Sequence, residues 1–150
     1  MLKGIGARGD GTWDECLLKE RAALGEIMDA FMERAPKEFA HALPGDARSP
    51  EEEEIECALR YARLVTGCKP FAAAGAFGAS LEQAEQDMSQ SLRRHSDELV
   101  RELRQAGAKD RALLERQFER NVRLTAALFG EADAEFLRRR GRGLTTLRAQ

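Results

Sequence analysis

SLEQAEQDMSQSLRRHSDELVRELRQAG, residues 80–107, is the stretch that decides how this chain is read. Leu81, Ala84, Met88, Leu92, His95, Leu99, Leu103 and Ala106 recur at alternating steps of three and four. Side chains spaced in this way share one stripe of an α-helix, and an apolar stripe of that length has to meet another helix. Ser80 with Gln83 three residues on is the arrangement of a capping box, and Gly107 is suited to closing the helix.

The pattern resumes almost at once. Over residues 110–140, Leu114, Phe118, Val122, Thr125, Phe129, Ala132 and Phe136 form a second stripe, widened by Leu113, Leu124, Leu128 and Leu137. Only residues 107–109 separate the two, so the spacing predicts a long antiparallel C-terminal helical hairpin.

Upstream, Thr12 and Glu15 suggest another capping box, followed by Trp13, Leu17, Leu24, Ile27, Met28, Phe31, Met32 and Ala35 on one face. Pro36 predicts a kink or restart, with a short continuation through Phe39 to Leu43. Residues 44–50 carry turn punctuation. Ser49 as cap, Pro50 at the first position and the acidic run Glu51–Glu54 at the positive end of the helix dipole then predict a helix with Ile55, Leu59, Ala62 and Val65 inside, ending at Gly67.

The expectation is an all-α chain, a bundle of about four helices at 12–35 (extended to 43), 50–66, 80–106 and 110–140. Residues 1–11, glycine-rich, are read as a flexible tail, 12–140 as the bundle domain and 141–150 as a basic tail, with Gly141 and Gly143 stopping the last helix. Residues 68–79, CKPFAAAGAFGA, are read as tight small-residue packing with Phe71 and Phe77 as plugs, or as a docking surface for a partner or a mobile connector.

Composition narrows the function. The chain has 150 residues, 43% of them hydrophobic, and a formal net charge of -2, which suits one soluble domain better than a general nucleic-acid binder. Cys16, Cys57 and Cys68 are odd in number and contain no CxxC pair, so neither a disulfide framework nor a zinc site is expected. They read as small buried hydrophobes in a reducing, cytoplasmic setting. The opening residues lack the apolar core of a secretory signal, and residues 64–81 are too polar and too rich in glycine and alanine for a membrane span.

Catalytic machinery is sparse. Gly4, Gly6 and Gly9 spell GxGxxG, but no strand precedes them to aim backbone N–H groups at a phosphate. Arg8-Gly9-Asp10 reads as a coincidence in an intracellular protein. Glu38 and His41 have the ExxH spacing of a di-iron bundle, yet the second pair that such a site needs is missing, because Leu92 stands three residues before His95. His95 itself reads as a partly buried imidazole held by a neighbour. No cofactor, metal site or catalytic set is expected.

Surfaces remain. Arg116, Arg120 and Arg123 share a face, and Arg138, Arg139, Arg140 and Arg142 cluster near the end. Glu115 and Glu119 run through the same helix, so self-neutralisation is the primary reading and contact with anionic lipid the second. The sequence therefore predicts a non-catalytic helical interaction module, an adaptor or assembly subunit with a protein partner or a second copy of itself. The alternative is a dimeric module that lays an arginine-bearing face on anionic membrane.

Overall fold

Where the apolar stripes lie, helices form. The computed structural model describes residues 6–44 and 49–146, and its regular elements are all helical: α1 Gly6–Ala40, α2 Glu52–Cys68, a 3-10 turn Lys69–Phe71, α3 Gly78–Gln105, α4 Ala108–Phe129 and α5 Glu131–Thr146. The turn predicted at 44–50 lies partly outside the described residues.

Two apolar clusters hold these elements together. The larger gathers Met32, Ala35 and Phe39 of α1, Ile55, Leu59 and Val65 of α2, Leu81, Met88 and Leu92 of α3, and Leu124 and Leu128 of α4. The smaller joins Leu99, Val100 and Leu103 of α3, Leu114, Phe118 and Val122 of α4, and Ala134 and Leu137 of α5. Burying such side chains stabilises by about 1.5–3 kcal/mol each against exposure. Every predicted stripe residue of α3 from Leu81 to Leu103 is buried.

The second long helix is two helices. Gly130 has φ 104° and ψ 170°, a backbone region essentially closed to side-chain-bearing residues, and its N–H donates to the Ala126 carbonyl at 3.1 Å. Past this break the phase of the stripe changes. Ala132 and Phe136, predicted inside, are exposed, while Ala134 and Leu137 are buried.

Nor does Gly141 stop α5, which runs on through Gly143 to Thr146. The basic tail predicted from residue 141 is therefore helical as far as it is described. Gly141 serves close approach. A Cβ at this position would lie 2.5 Å from Phe118 Cε1, and that ring is 5% exposed. Gly141→Ala is expected to destabilise by about 1–2 kcal/mol, since overpacking outweighs the gain in helix propensity of about 1 kcal/mol. Thermal melts would show the loss, and adding Phe118→Leu should abolish it. A loss that survives in the double variant would place its cause elsewhere.

Other helix starts differ from expectation for similar reasons. Helix α1 begins at Gly6, so the described part of the predicted tail is helical; lengthening a helix costs less than nucleating one. It also continues through Pro36 without ending. Helix α2 is capped by Glu51, whose N–H donates to Glu54 Oε2 at 2.9 Å, and not by Ser49, whose hydroxyl accepts from Arg120 at 2.9 Å. It ends at Cys68, one residue past Gly67. Ser80 lies inside α3 and bonds the Asp29 carboxylate, tying α3 to α1 in place of the capping box with Gln83, whose amide goes to Asp87.

Candidate docking surface

Helix α1 is 35 residues long and α2 is 17, spans of about 52 and 26 Å at 1.5 Å per residue. One end of α1 therefore overhangs. Its covered half begins near Gly25, where the nearest neighbour is the Gly75 carbonyl, and the Arg21 guanidinium donates to the Ala73 carbonyl at 3.1 Å as an outer tether. From Met28 onward the apolar face is covered by α2 and α3, with Phe31 stacked on Tyr61 at 5.0 Å between ring centroids.

Ahead of that point the large apolar side chains stand exposed among the described residues. Trp13 is 70% exposed, Leu17 60%, Leu18 62%, Leu24 48% and Ile27 67%. Their periodicity predicts a place in the core for Trp13, Leu17, Leu24 and Ile27; the structure corrects this, because no described element covers these side chains. The free stripe has a pattern of its own. Trp13, Leu17, Leu24 and Met28, the last half-buried at the edge of the larger core, are spaced symmetrically about the central pair Glu20 and Arg21. Glu15, Lys19 and Glu26 fall on the opposite side of the helix.

The 3-10 turn behind this helix divides the two predicted plugs. Phe77 is 4% exposed and belongs to the larger core, which removes it as a docking residue, whereas Phe71 is 66% exposed and so is no plug. Cys16, on the free half of α1, is exposed, contrary to the buried reading; Cys57 and Cys68 are half-buried.

The structure disperses the arginines. Arg123 binds Glu52 at 3.1 Å and Glu56 at 2.9 Å, Arg120 binds Ser49, and Arg116 donates to the Ala112 carbonyl of its own helix. The hydrogen bond it donates to Glu52 holds the Arg123 guanidinium above its ordinary pKa. Arg138 pairs with Glu131 and Glu135, Arg139 and Arg142 with Glu135, and Arg140 with Asp97 on α3 at 2.9 Å. Arg123 and the four arginines of α5 are thus matched by carboxylates close at hand, at the exposed surface where such pairs contribute little to stability.

Between the two apolar clusters runs a buried polar seam. Pro44 offers only a carbonyl to His95 Nε2 at 3.1 Å, so in the neutral ring that nitrogen carries the proton and Nδ1 accepts from Asn121 Nδ2 at 3.0 Å. The same Asn121 amide donates to Ser96 Oγ at 3.0 Å, and Thr125 Oγ1 donates to the Asn121 carbonyl at 2.7 Å. His95 is thus held by neighbours, as its place on the stripe suggests. His41 and Glu38 stand 3.7 Å apart with Arg34 on the same carboxylate, and among the described residues no group of three or more His, Cys, Asp or Glu could hold a metal ion.

None of the described helices is long and apolar enough to cross a membrane. Comparison of the chain with family models, with curated proteins and with solved structures finds no match.

Proposed function

We propose that this chain is a non-catalytic helical interaction module that pairs with a second copy of itself through the free half of α1. The observation that carries the reading is the uncovered stripe of Trp13, Leu17, Leu24 and Ile27. With Leu18 beside it, the stripe offers on the order of 600 Å² of surface, at the upper end of the largest patches on typical monomers and most of the roughly 800 Å² each partner gives to a standard interface.

The symmetry of the stripe argues for a second copy. Two α1 helices laid antiparallel about the midpoint of Glu20 and Arg21 set Leu17 against Leu24, Trp13 against the half-buried Met28 at the edge of the core, and each Glu20 against the partner helix's Arg21. Such a contact is isologous and closes on itself. A helical stretch without tertiary neighbours is marginal in water, so pairing also supplies the support that the glycine-bearing start of α1 lacks.

The bundle belongs to the same reading. Helices α3 and α4 serve as its antiparallel C-terminal hairpin, an arrangement supported by Arg111 reaching the Leu103 carbonyl near the turn and Asn121 reaching His95 further along. Anionic lipid fits less well, because residues 12–27 contain four acids, Asp14, Glu15, Glu20 and Glu26, against Lys19 and Arg21. The arginines of α4 and α5 are mostly ion-paired besides.

Sedimentation velocity tests the proposal, with fluorescence of the single tryptophan, Trp13, as a second readout. The wild type is expected to dimerise at micromolar concentration with a blue shift of its emission. Leu17→Glu with Leu24→Glu is expected to weaken association by at least about a hundredfold, since each charge would enter an apolar seam at a cost of several kcal/mol. A wild type that stays monomeric at about 100 µM, well above the dissociation constants of specific complexes, with water-exposed tryptophan emission, would overturn it.

A further inference from the structure

At the end of the molecule where α3 turns into α4 there is a cleft of about 440 Å³, within the range of about 300–1,000 Å³ that small-molecule sites occupy. Helix α3 lines it with Glu98, Leu99 and Glu102, and α4 with Asp110, Leu114 and Gln117. Two features of this lining bear on what the cleft can hold.

The first is Gln117. It is 6% exposed, and its side-chain amide has no hydrogen-bond partner among the described residues, while no buried side-chain nitrogen or oxygen there is sealed off unpartnered. An unpartnered amide that is not sealed must open onto the cleft that the residue lines. Its polar atoms are therefore open to whatever enters the cleft.

The second is the carboxylates. Some acids of this chain sit against arginine or lysine, as in Arg123 with Glu52, Arg138 with Glu131, Arg140 with Asp97 and Lys69 with Glu85, and others, Glu115 and Glu119 among them, do not among the described residues. Glu98, Glu102 and Asp110 have no ion-pair or hydrogen-bond partner among the described residues. Asp110 suits the first turn of α4. Glu98 and Glu102 differ: they are like charges at i and i+4 on α3, where their mutual repulsion opposes them, and Glu102 stands in the last turn, against the helix dipole. The three do not form a metal-holding group. What fits is a cation with length and an apolar stem to lie along Leu99 and Leu114.

We infer that this cleft binds an alkylammonium group, a primary amine on a short aliphatic chain, with the ammonium held by Glu98 and Glu102 and a second polar end met by Gln117. Such a group occurs on free diamines and on lysine side chains. The site is separate from the free face of α1 and does not depend on it.

Calorimetric titration of the full chain at low salt tests this, with 1,5-diaminopentane as the free-amine probe and Nα-acetyl-lysine methylamide as the side-chain probe. The neutral isostere 1,5-pentanediol serves as control. One of the two amines is expected to bind saturably at one per chain, and which one identifies the source; the diol should not bind. Glu98→Gln with Glu102→Gln should weaken binding at least about tenfold, because a charge-assisted contact is lost, and Gln117→Leu by about fivefold. Without ligand the double glutamine variant should melt no lower than the wild type, since it relieves repulsion, so its lost binding is not lost folding. No saturable binding of either amine, binding of the diol with equal strength, or undiminished binding by the glutamine variant would each overturn the assignment.

Discussion

Asn121→Leu is expected to lower the free energy of unfolding by about 3 kcal/mol, although it puts a more apolar residue at a position 1% exposed. The reason is what it abandons. Asn121 supplies the donor for both His95 Nδ1 and Ser96 Oγ, and its removal leaves two buried polar groups of α3 facing hydrocarbon. Each unsatisfied group costs about 1–3 kcal/mol, more than the extra apolar contact returns. His95→Phe combined with Asn121→Leu and Ser96→Ala should recover most of the loss, because replacing every member of a polar network is far less costly than breaking it. Urea denaturation of the single and combined variants measures this coupling. A loss below about 1 kcal/mol in Asn121→Leu would show that the seam contributes little to holding α3 on α4.

The seam also shows how far residue spacing alone can reach. His95 lies at a stripe position, which is enough to place an imidazole at a helix interface. Asn121 lies one residue before Val122, which belongs to the stripe, and a periodic reading passes over it because it weighs apolar residues only. A polar residue wedged into an apolar face, opposite the one histidine of the facing helix, is the signal that points to it. Burial of α3 is legible for a stronger reason: its stripe is covered over its whole length, so the spacing of Leu81 to Leu103 and the packing agree.

Helix α1 is legible only in part. Periodicity reveals that a face exists and says nothing of what lies on it. Trp13, Leu17 and Leu24 have the same spacing as buried side chains, and their exposure follows from the excess length of α1 over its neighbours. That excess is foreshadowed in the sequence, because the helix predicted at 12–35 already outreaches the one at 50–66. The arginines illustrate a different limit. Their shared face on α4 follows from spacing, but Glu52 and Glu56, which engage Arg123, stand 71 and 67 residues away along the chain.

Gly130 is where the sequence misleads most, and Gly130→Ala should have a correspondingly large effect. A glycine inside a helical pattern costs about 1 kcal/mol and is often tolerated, so a stripe running through Phe129, Ala132 and Phe136 suggests one helix. At φ 104° and ψ 170° an alanine is strained by about 1–3 kcal/mol in the native backbone. The chain can escape that strain by joining α4 to α5 in a straight helix. Doing so would draw Ala134 and Leu137, at 0% and 6% exposure, out of the smaller core and separate Arg140 from Asp97. Either route leads to a loss of about 3 kcal/mol, with far-ultraviolet helicity kept or increased while stability falls. Hydrogen exchange separates the routes: amides of α5 that lose protection mean that it has left the core, and protection retained alongside reduced global stability means strain borne in place. A variant as stable as the wild type, with α5 fully protected, would show that packing of Leu137 and Ala134 sets the break between α4 and α5, and that the glycine merely accommodates it.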